Sequence, residues 1–180
     1  MIKVIRSSLW SFLSSVEIES MASRSYSIWI VLLEDNWQQA ADIREDLRDA
    51  FADSRIDVFK TVSEFDDWLK KTGVGSADLL HTPDIFILDM MVRGHTPDPK
   101  HRLESLGGVD FFTAGAKCFD ALAEKGLERS TLIYTAADKE DLEAAGLWER
   151  LASHYVPKSS VSDDSASLIK AIVSMMRDQG

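Results

Sequence analysis

From Ile28 the chain runs Ile-Trp-Ile-Val-Leu-Leu and then stops abruptly in Glu34, Asp35 and Asn36. A short unbroken apolar run bounded by polar residues predicts a strand covered on both faces of a parallel sheet. Ile56-Asp57-Val58-Phe59, Asp84 to Asp89, Thr131 to Thr135 and His154-Tyr155-Val156 repeat the pattern and predict four more strands. The intervening stretches switch to helical spacing. Asn36 caps a predicted helix over Trp37 to about Phe51, with Ala40, Ile43, Leu47 and Ala50 on one face. Ser63 is expected to open the next, with Asp66 three residues after the cap, Phe65, Trp68 and Leu69 inward, and Gly73-Val74-Gly75-Ser76 closing it.

The third helix is expected to open at Gly108 and run along Val109, Phe112, Ala116, Phe119 and Leu122 to Gly126. Asp138 to about Leu151 reads as helical with a break at Gly146. A last helix starts near Asp163 and buries Leu168, Ile169, Ile172, Val173 and Met176. Strands alternating with helices five times predict an α/β fold with one parallel sheet covered on both faces. Two stretches stand outside this alternation. Residues 1–25 read as an extension, amphipathic or disordered, with Met21 as an alternative start. Met90 to Gly107, with Gly94, Pro97 and Pro99, is a connection too long to be a plain turn, and such loops are functional or disordered.

Composition narrows the function classes. With 180 residues the chain can bury a full core, and no apolar run is long enough to span a bilayer, so no membrane partner is expected. A net charge of −10 argues against a nucleic-acid surface. The single cysteine, Cys118, cannot form an internal disulfide and sits in an apolar helical pattern, which reads as core in a reducing, cytoplasmic setting. His95 and His101 share the long connection without acidic or cysteine partners at ligand spacing, and read as exposed.

The candidate chemistry lies where the strands stop. Open α/β sheets keep their sites at the carboxyl ends of the strands. There the sequence puts Glu34 and Asp35 after the first strand, Asp89 after the third, Thr135 after the fourth and Lys158 after the fifth. Three carboxylates at one sheet edge repel each other unless a cation lies among them, which makes a divalent metal the first functional expectation.

Taken together, these residues resemble the receiver domain of two-component response regulators. The match runs from about Tyr26 to Gly180: an acidic pair, an aspartate, Thr135-Ala136 and a lysine, in register on a (βα)5 pattern. The resemblance implies a flavodoxin-like, doubly wound parallel sheet of strand order 2-1-3-4-5, with residues 26–180 as the receiver domain. It implies that Asp89 takes a phosphoryl group from a phosphohistidine. Mg²⁺ would be bound by Asp35 and Asp89, with Glu34 acting through water and the Met91 carbonyl completing the set. Lys158 would neutralise charge on Asp89 and then on the phosphoryl oxygens, and the Thr135 hydroxyl would bond that group. Small Ala136 would leave it room. Tyr155 would be the aromatic that turns inward as Thr135 moves. The implied partners are a histidine kinase or histidine phosphotransfer protein and an unidentified target protein.

The last predicted helix reaches the C-terminus, so the expected protein is a stand-alone receiver of the chemotaxis-regulator kind, a switch or phosphorelay intermediate and not a classical enzyme. Met91 and Ala137 offer no polar group to orient an attacking water, so self-dephosphorylation is expected to be slow. The chain departs from the family in two places. Its connection after Asp89 is about ten residues longer. Ser159 replaces the proline that usually follows the lysine, Pro157 lies before it instead, and no cis peptide is expected there. Two alternatives compete: a receiver-like module that docks a partner without phosphorylation, and a Mg²⁺-dependent phosphohydrolase. The second is weakened by Met91, which stands where such enzymes carry a second aspartate.

Overall fold

The computed structural model of the chain describes residues 28–75, 82–92, 113–158 and 165–178. Five strands, β1 (Trp29–Leu33), β2 (Arg55–Phe59), β3 (Ile85–Leu88), β4 (Thr131–Thr135) and β5 (Tyr155–Pro157), form one sheet in the order β2-β1-β3-β4-β5. Every pairing is parallel. The helices are α1 (Trp37–Ala50), α2 (Val62–Thr72), α3 (Ala114–Ala123), α4 (Lys139–Ala144), α5 (Trp148–Leu151) and α6 (Ala166–Asp178).

The unbroken apolar runs of β1 and β3 serve both faces of the sheet, as two-sided burial requires. Alternate residues Val31, Leu33, Phe86, Leu88 and Ile133 pack under Phe65 and Leu69 of α2, Phe119 and Leu122 of α3, Leu142 of α4 and Leu151 of α5. The intervening Ile30, Leu32, Ile85, Ile87, Leu132 and Tyr134 pack under Ala40, Ile43 and Leu47 of α1 and Leu168, Ile169 and Ile172 of α6. A period of two splits each strand between the layers.

Local chemistry accounts for the boundaries. The Asn36 side chain accepts from the Gln38 and Gln39 amides and starts α1, as its position suggested. The start of α2 differs from expectation: Thr61, not Ser63, is the cap. Thr61 is extended and its hydroxyl accepts from the Glu64 amide at 3.2 Å. Glu64, not Asp66, closes the motif by accepting from the Lys60 amide at 3.0 Å. Either hydroxyl could cap by spacing; with Val62 already helical, Ser63 lies within the first turn. Gly73 ends α2 at φ 63°, a left-handed conformation that favours glycine. The stretch from 138 to 151 breaks between α4 and α5, as expected at Gly146.

The outer strands are each shifted slightly: β2 starts one residue earlier than predicted and β5 runs one residue later. Pro157 fits the end of β5 because that strand lies at the sheet edge, where a missing N–H is tolerated. The expected openings of the third helix at Gly108 and the last at Asp163, the long connection beyond Val92, and residues 1–25 lie outside the described residues.

Cys118 is buried on α3, as expected of a core thiol. Burial, with Asp66 adding to it, pushes the thiol up to about 12. At pH 8 that leaves roughly 10³-fold less thiolate than an ordinary cysteine carries. Iodoacetamide should therefore label Cys118 only when the protein is unfolded in urea. Rapid labelling of the native protein, followed by mass, would contradict the burial of α3 on the sheet.

Candidate functional site

The strand ends place the polar residues by continuing the sheet's hydrogen-bond ladder. The Glu34 amide donates to the Phe59 carbonyl at 2.9 Å, the Asp89 amide to Leu33 at 3.0 Å, and the Lys158 amide to Thr135 at 2.9 Å. Side chains from β1, β3 and β5 therefore emerge at the same carboxyl edge with their backbones fixed.

There they make one buried ionic cluster. The Lys158 ammonium donates to Glu34 Oε2 at 2.5 Å and to Asp89 Oδ2 at 2.7 Å. The side chains are 10% exposed for Lys158, 1% for Glu34 and 8% for Asp89, so water screens the pairs weakly. The remaining oxygens are also engaged: the Asn36 amide donates to Glu34 Oε1 at 3.0 Å, and the Met91 amide to Asp89 Oδ1 at 3.3 Å. The ammonium also lies 5.6 Å from the Tyr134 ring centroid. Burial opposes the charge on Lys158, but Asp89 and Glu34 together outweigh it and hold its pKa above the ordinary lysine value. Burial drives the Glu34 carboxyl above its usual range; Lys158 opposes that shift and Asp89 adds to it.

The expected site residues are thus distributed as follows. Glu34, Asp89 and Lys158 are in direct contact. Thr135 is fully buried at the end of β4, where its hydroxyl accepts from the Ala137 amide at 3.3 Å. Tyr155 is half-buried, packs edge-on against Trp148 with centroids 5.4 Å apart, and donates its phenol to the Ala137 carbonyl at 3.0 Å. Burial, with Asp138 and Glu140, raises that phenol's pKa and keeps it a donor. Ala136 is exposed at the strand end, and Asp35 is half-buried between β1 and α1. Among the described residues no three His, Cys, Asp or Glu side chains converge as a metal cluster. The countercharge between Glu34 and Asp89 is the lysine. The donor set there is nonetheless all oxygen, the chemistry that suits a hard divalent cation. The Lys158–Ser159 peptide lies outside the described residues.

Two contributors were missed in the sequence. Gly115, in the first turn of α3, donates its amide to the Met90 carbonyl at 3.2 Å. A Cβ there would lie 2.2 Å from the Asp89 carbonyl oxygen and 2.8 Å from the Met90 Cα, so only glycine permits the approach. The signal was a glycine in an otherwise good helical run; the expectation had fallen on Gly108 instead. Gln39, in the first turn of α1, offers its side-chain oxygen to the Lys158 ammonium at 3.3 Å. Only the fold reveals it, because the Lys158 side chain reaches from the end of β5 past β4 and β3 to the start of α1.

The architecture matches solved receivers. The phosphorylated cyanobacterial phytochrome response regulator RcpA superposes with a TM-score of 0.56 at 17% identity, over 86% of this chain and 97% of that one. A response regulator receiver domain from Rhodospirillum rubrum gives 0.55 at 20% identity, over 85% and 95%. The Mn²⁺-bound form of response regulator Rcp1 gives 0.51 at 17%, over 82% and 92%. No protein-family model matches the sequence and no curated protein matches it. At these identities the likeness establishes the fold: this chain has the receiver-domain architecture of response regulators, with the strand order expected from its sequence.

Two substitutions test the cluster. Lys158→Met should cost about 3–5 kcal/mol at neutral pH, because two buried carboxylates lose their partner. Without the ammonium, which opposes the upward shift that burial imposes on Glu34, that carboxyl is held protonated to higher pH in the folded state. The deficit should therefore be full at high pH and shrink as pH falls through that raised value; urea titrations at pH 7.5 and pH 5 measure it. Gly115→Ala should cost about 1–3 kcal/mol by overpacking against Asp89 and Met90, read in the same titration.

Proposed function

We propose that this protein is a phosphorylation-dependent receiver that accepts a phosphoryl group on Asp89 from a phosphohistidine and thereby alters its binding to another protein. The observation that carries the reading is the Lys158 bridge: one buried ammonium on Asp89 and Glu34 at the carboxyl edge of a receiver fold. A carboxylate already paired with a lysine has its charge neutralised as a negatively charged phosphoryl group arrives.

An Asp89 carboxylate oxygen attacks phosphorus, the donor's P–N bond breaks, and its electron pair and a proton stay with the departing imidazole. The product is an acyl phosphate on Asp89. Lys158 follows the charge from the carboxylate to the phosphoryl oxygens. Asp35 and Asp89 would hold Mg²⁺ directly, Glu34 through water, and Met91 through its carbonyl. Such an ion would supply positive charge to offset that of the carboxylates and of the incoming phosphoryl group. The solved structure of Rcp1 is a Mn²⁺-bound form, which supports a divalent ion here.

Thr135 and Tyr155 share the Ala137 peptide unit's neighbourhood: the Thr135 hydroxyl holds the Ala137 amide, and the Tyr155 phenol holds its carbonyl. If Thr135 turns its hydroxyl to a phosphoryl group, the Ala137 amide loses its acceptor and the Tyr155 contact is disturbed. The signal would then leave at the face carrying Tyr155 and Trp148. Met91 and Ala137 present no polar side chain to an attacking water, so the acyl phosphate should be long-lived. Among the described residues no helix is long and apolar enough to cross a membrane, and the buried free thiol suits a reducing cytoplasm.

The test is intact mass after incubation with Mg²⁺ and acetyl phosphate, for wild type and Asp89→Asn. A single phosphoryl adduct confined to wild type, and decaying slowly once the donor is removed, is the expected result. No adduct, with no detectable Mg²⁺ binding, would overturn it and favour a constitutive docking module. Steady turnover of a phosphate monoester would favour the phosphohydrolase.

A further inference from the structure

The Lys158 ammonium has three protons and, in this structure, three oxygen acceptors from separate elements: Glu34 after β1, Asp89 after β3, and Gln39 in α1. Two are buried carboxylates at 2.5 and 2.7 Å; the third is the neutral amide oxygen of an exposed side chain at 3.3 Å. We propose that Gln39 is a positioning residue that holds Lys158 in its resting place between Glu34 and Asp89, and so sets how readily the lysine yields that place to a cation or follows a phosphoryl group.

An ammonium satisfied by three acceptors is held in orientation as well as in place. The two carboxylates alone leave it free to turn about the line between them, with one proton seeking an acceptor at the site's mouth. Gln39 supplies that acceptor without adding charge, so it strengthens the resting arrangement without adding a competing ion pair. Its own placement is fixed by α1: the Asn36 cap accepts from the Gln39 amide at 3.3 Å, and Ala40 beside it is buried on the sheet. The exposed Gln39 side chain can be replaced with little effect on the core. The effect of Gln39 passes through Lys158 alone.

This inference rests on the receiver reading for its consequence but not for its geometry, and the test separates the two. In the metal-free protein, the Lys158 side chain of ¹⁵N-lysine-labelled wild type should give a slowly exchanging NH₃⁺ signal, lost in Lys158→Met. Gln39→Leu should broaden that signal or remove it while lowering the unfolding midpoint only by the small amount that one ordinary hydrogen bond contributes, and Gln39→Asn should restore it only partly, because the shorter side chain cannot reach as far. Mg²⁺ binding, followed by tryptophan fluorescence, should then be about fivefold tighter in Gln39→Leu, the factor expected when one ordinary hydrogen bond no longer opposes displacement of the lysine. An identical ammonium signal in wild type and Gln39→Leu would overturn the positioning role. An altered signal with no Mg²⁺ binding to either protein would keep the positioning role and instead count against the receiver reading.

Discussion

One ammonium group, placed between two buried carboxylates, is the interaction on which the carboxyl edge of this sheet depends. Glu34 and Asp89 are delivered by adjacent strands and have almost no access to water. Side by side and unpaired they would repel at close range in a poorly screened environment. Lys158 joins them from β5, two strands away from β3 across β4. The pairing is therefore also a tether between strands that share no backbone hydrogen bond. A buried ion pair is weak evidence for stability, because desolvation offsets much of the attraction. What it supplies instead is position: the ammonium is fixed between Glu34 and Asp89, with its approach to either set by the sheet edge.

The rest of the architecture makes that placement possible. Parallel register sets Leu33 opposite both Phe59 and Leu88, and sets Thr135 opposite Pro157. The strands thus end nearly level, and the next residue is charged on β1, β2, β3 and β5, while β4 ends in the hydroxyl of Thr135 itself. Two-sided burial makes the register unforgiving, since a slip of one residue would move every apolar side chain to the wrong layer. The same alternation that fills the two cores fixes which residues reach the edge.

Much of this was legible in the sequence, for physical reasons that particular residues make plain. Ile28 to Leu33 and Ile85 to Leu88 are apolar without a break, and runs so short, bounded by polar residues, fit a doubly covered strand better than a buried helix. Asn36 caps α1 because its backbone is extended and its side-chain oxygen reaches the Gln38 and Gln39 amides. At α2 two hydroxyls competed, Thr61 and Ser63, and only the extended backbone at Thr61 decides between them. Lys158 could be placed at the edge from its position after β5, but its partners could not. The sequence suggested three carboxylates awaiting a metal, whereas the fold pairs two of them with the lysine. Contacts across 124 residues for Glu34 and 119 for Gln39 carry no local pattern. Gly115 was missed for a related reason: the atoms that exclude a Cβ belong to Asp89 and Met90, more than twenty residues earlier.

That glycine also bears on how the Lys158 cluster can sit beside so long a connection. The chain leaves β3 through Asp89 and Met90 and comes back in α3, where the Gly115 amide meets the Met90 carbonyl. The two ends of the connection close on each other within one hydrogen bond. Asp89 is held independently from the other side by its own amide on Leu33. An insertion in that connection leaves the Asp89 backbone where the sheet puts it. The position of Asp89 is thus set by contacts at the two ends of the connection, its own amide on Leu33 and the close approach of Gly115 to Met90.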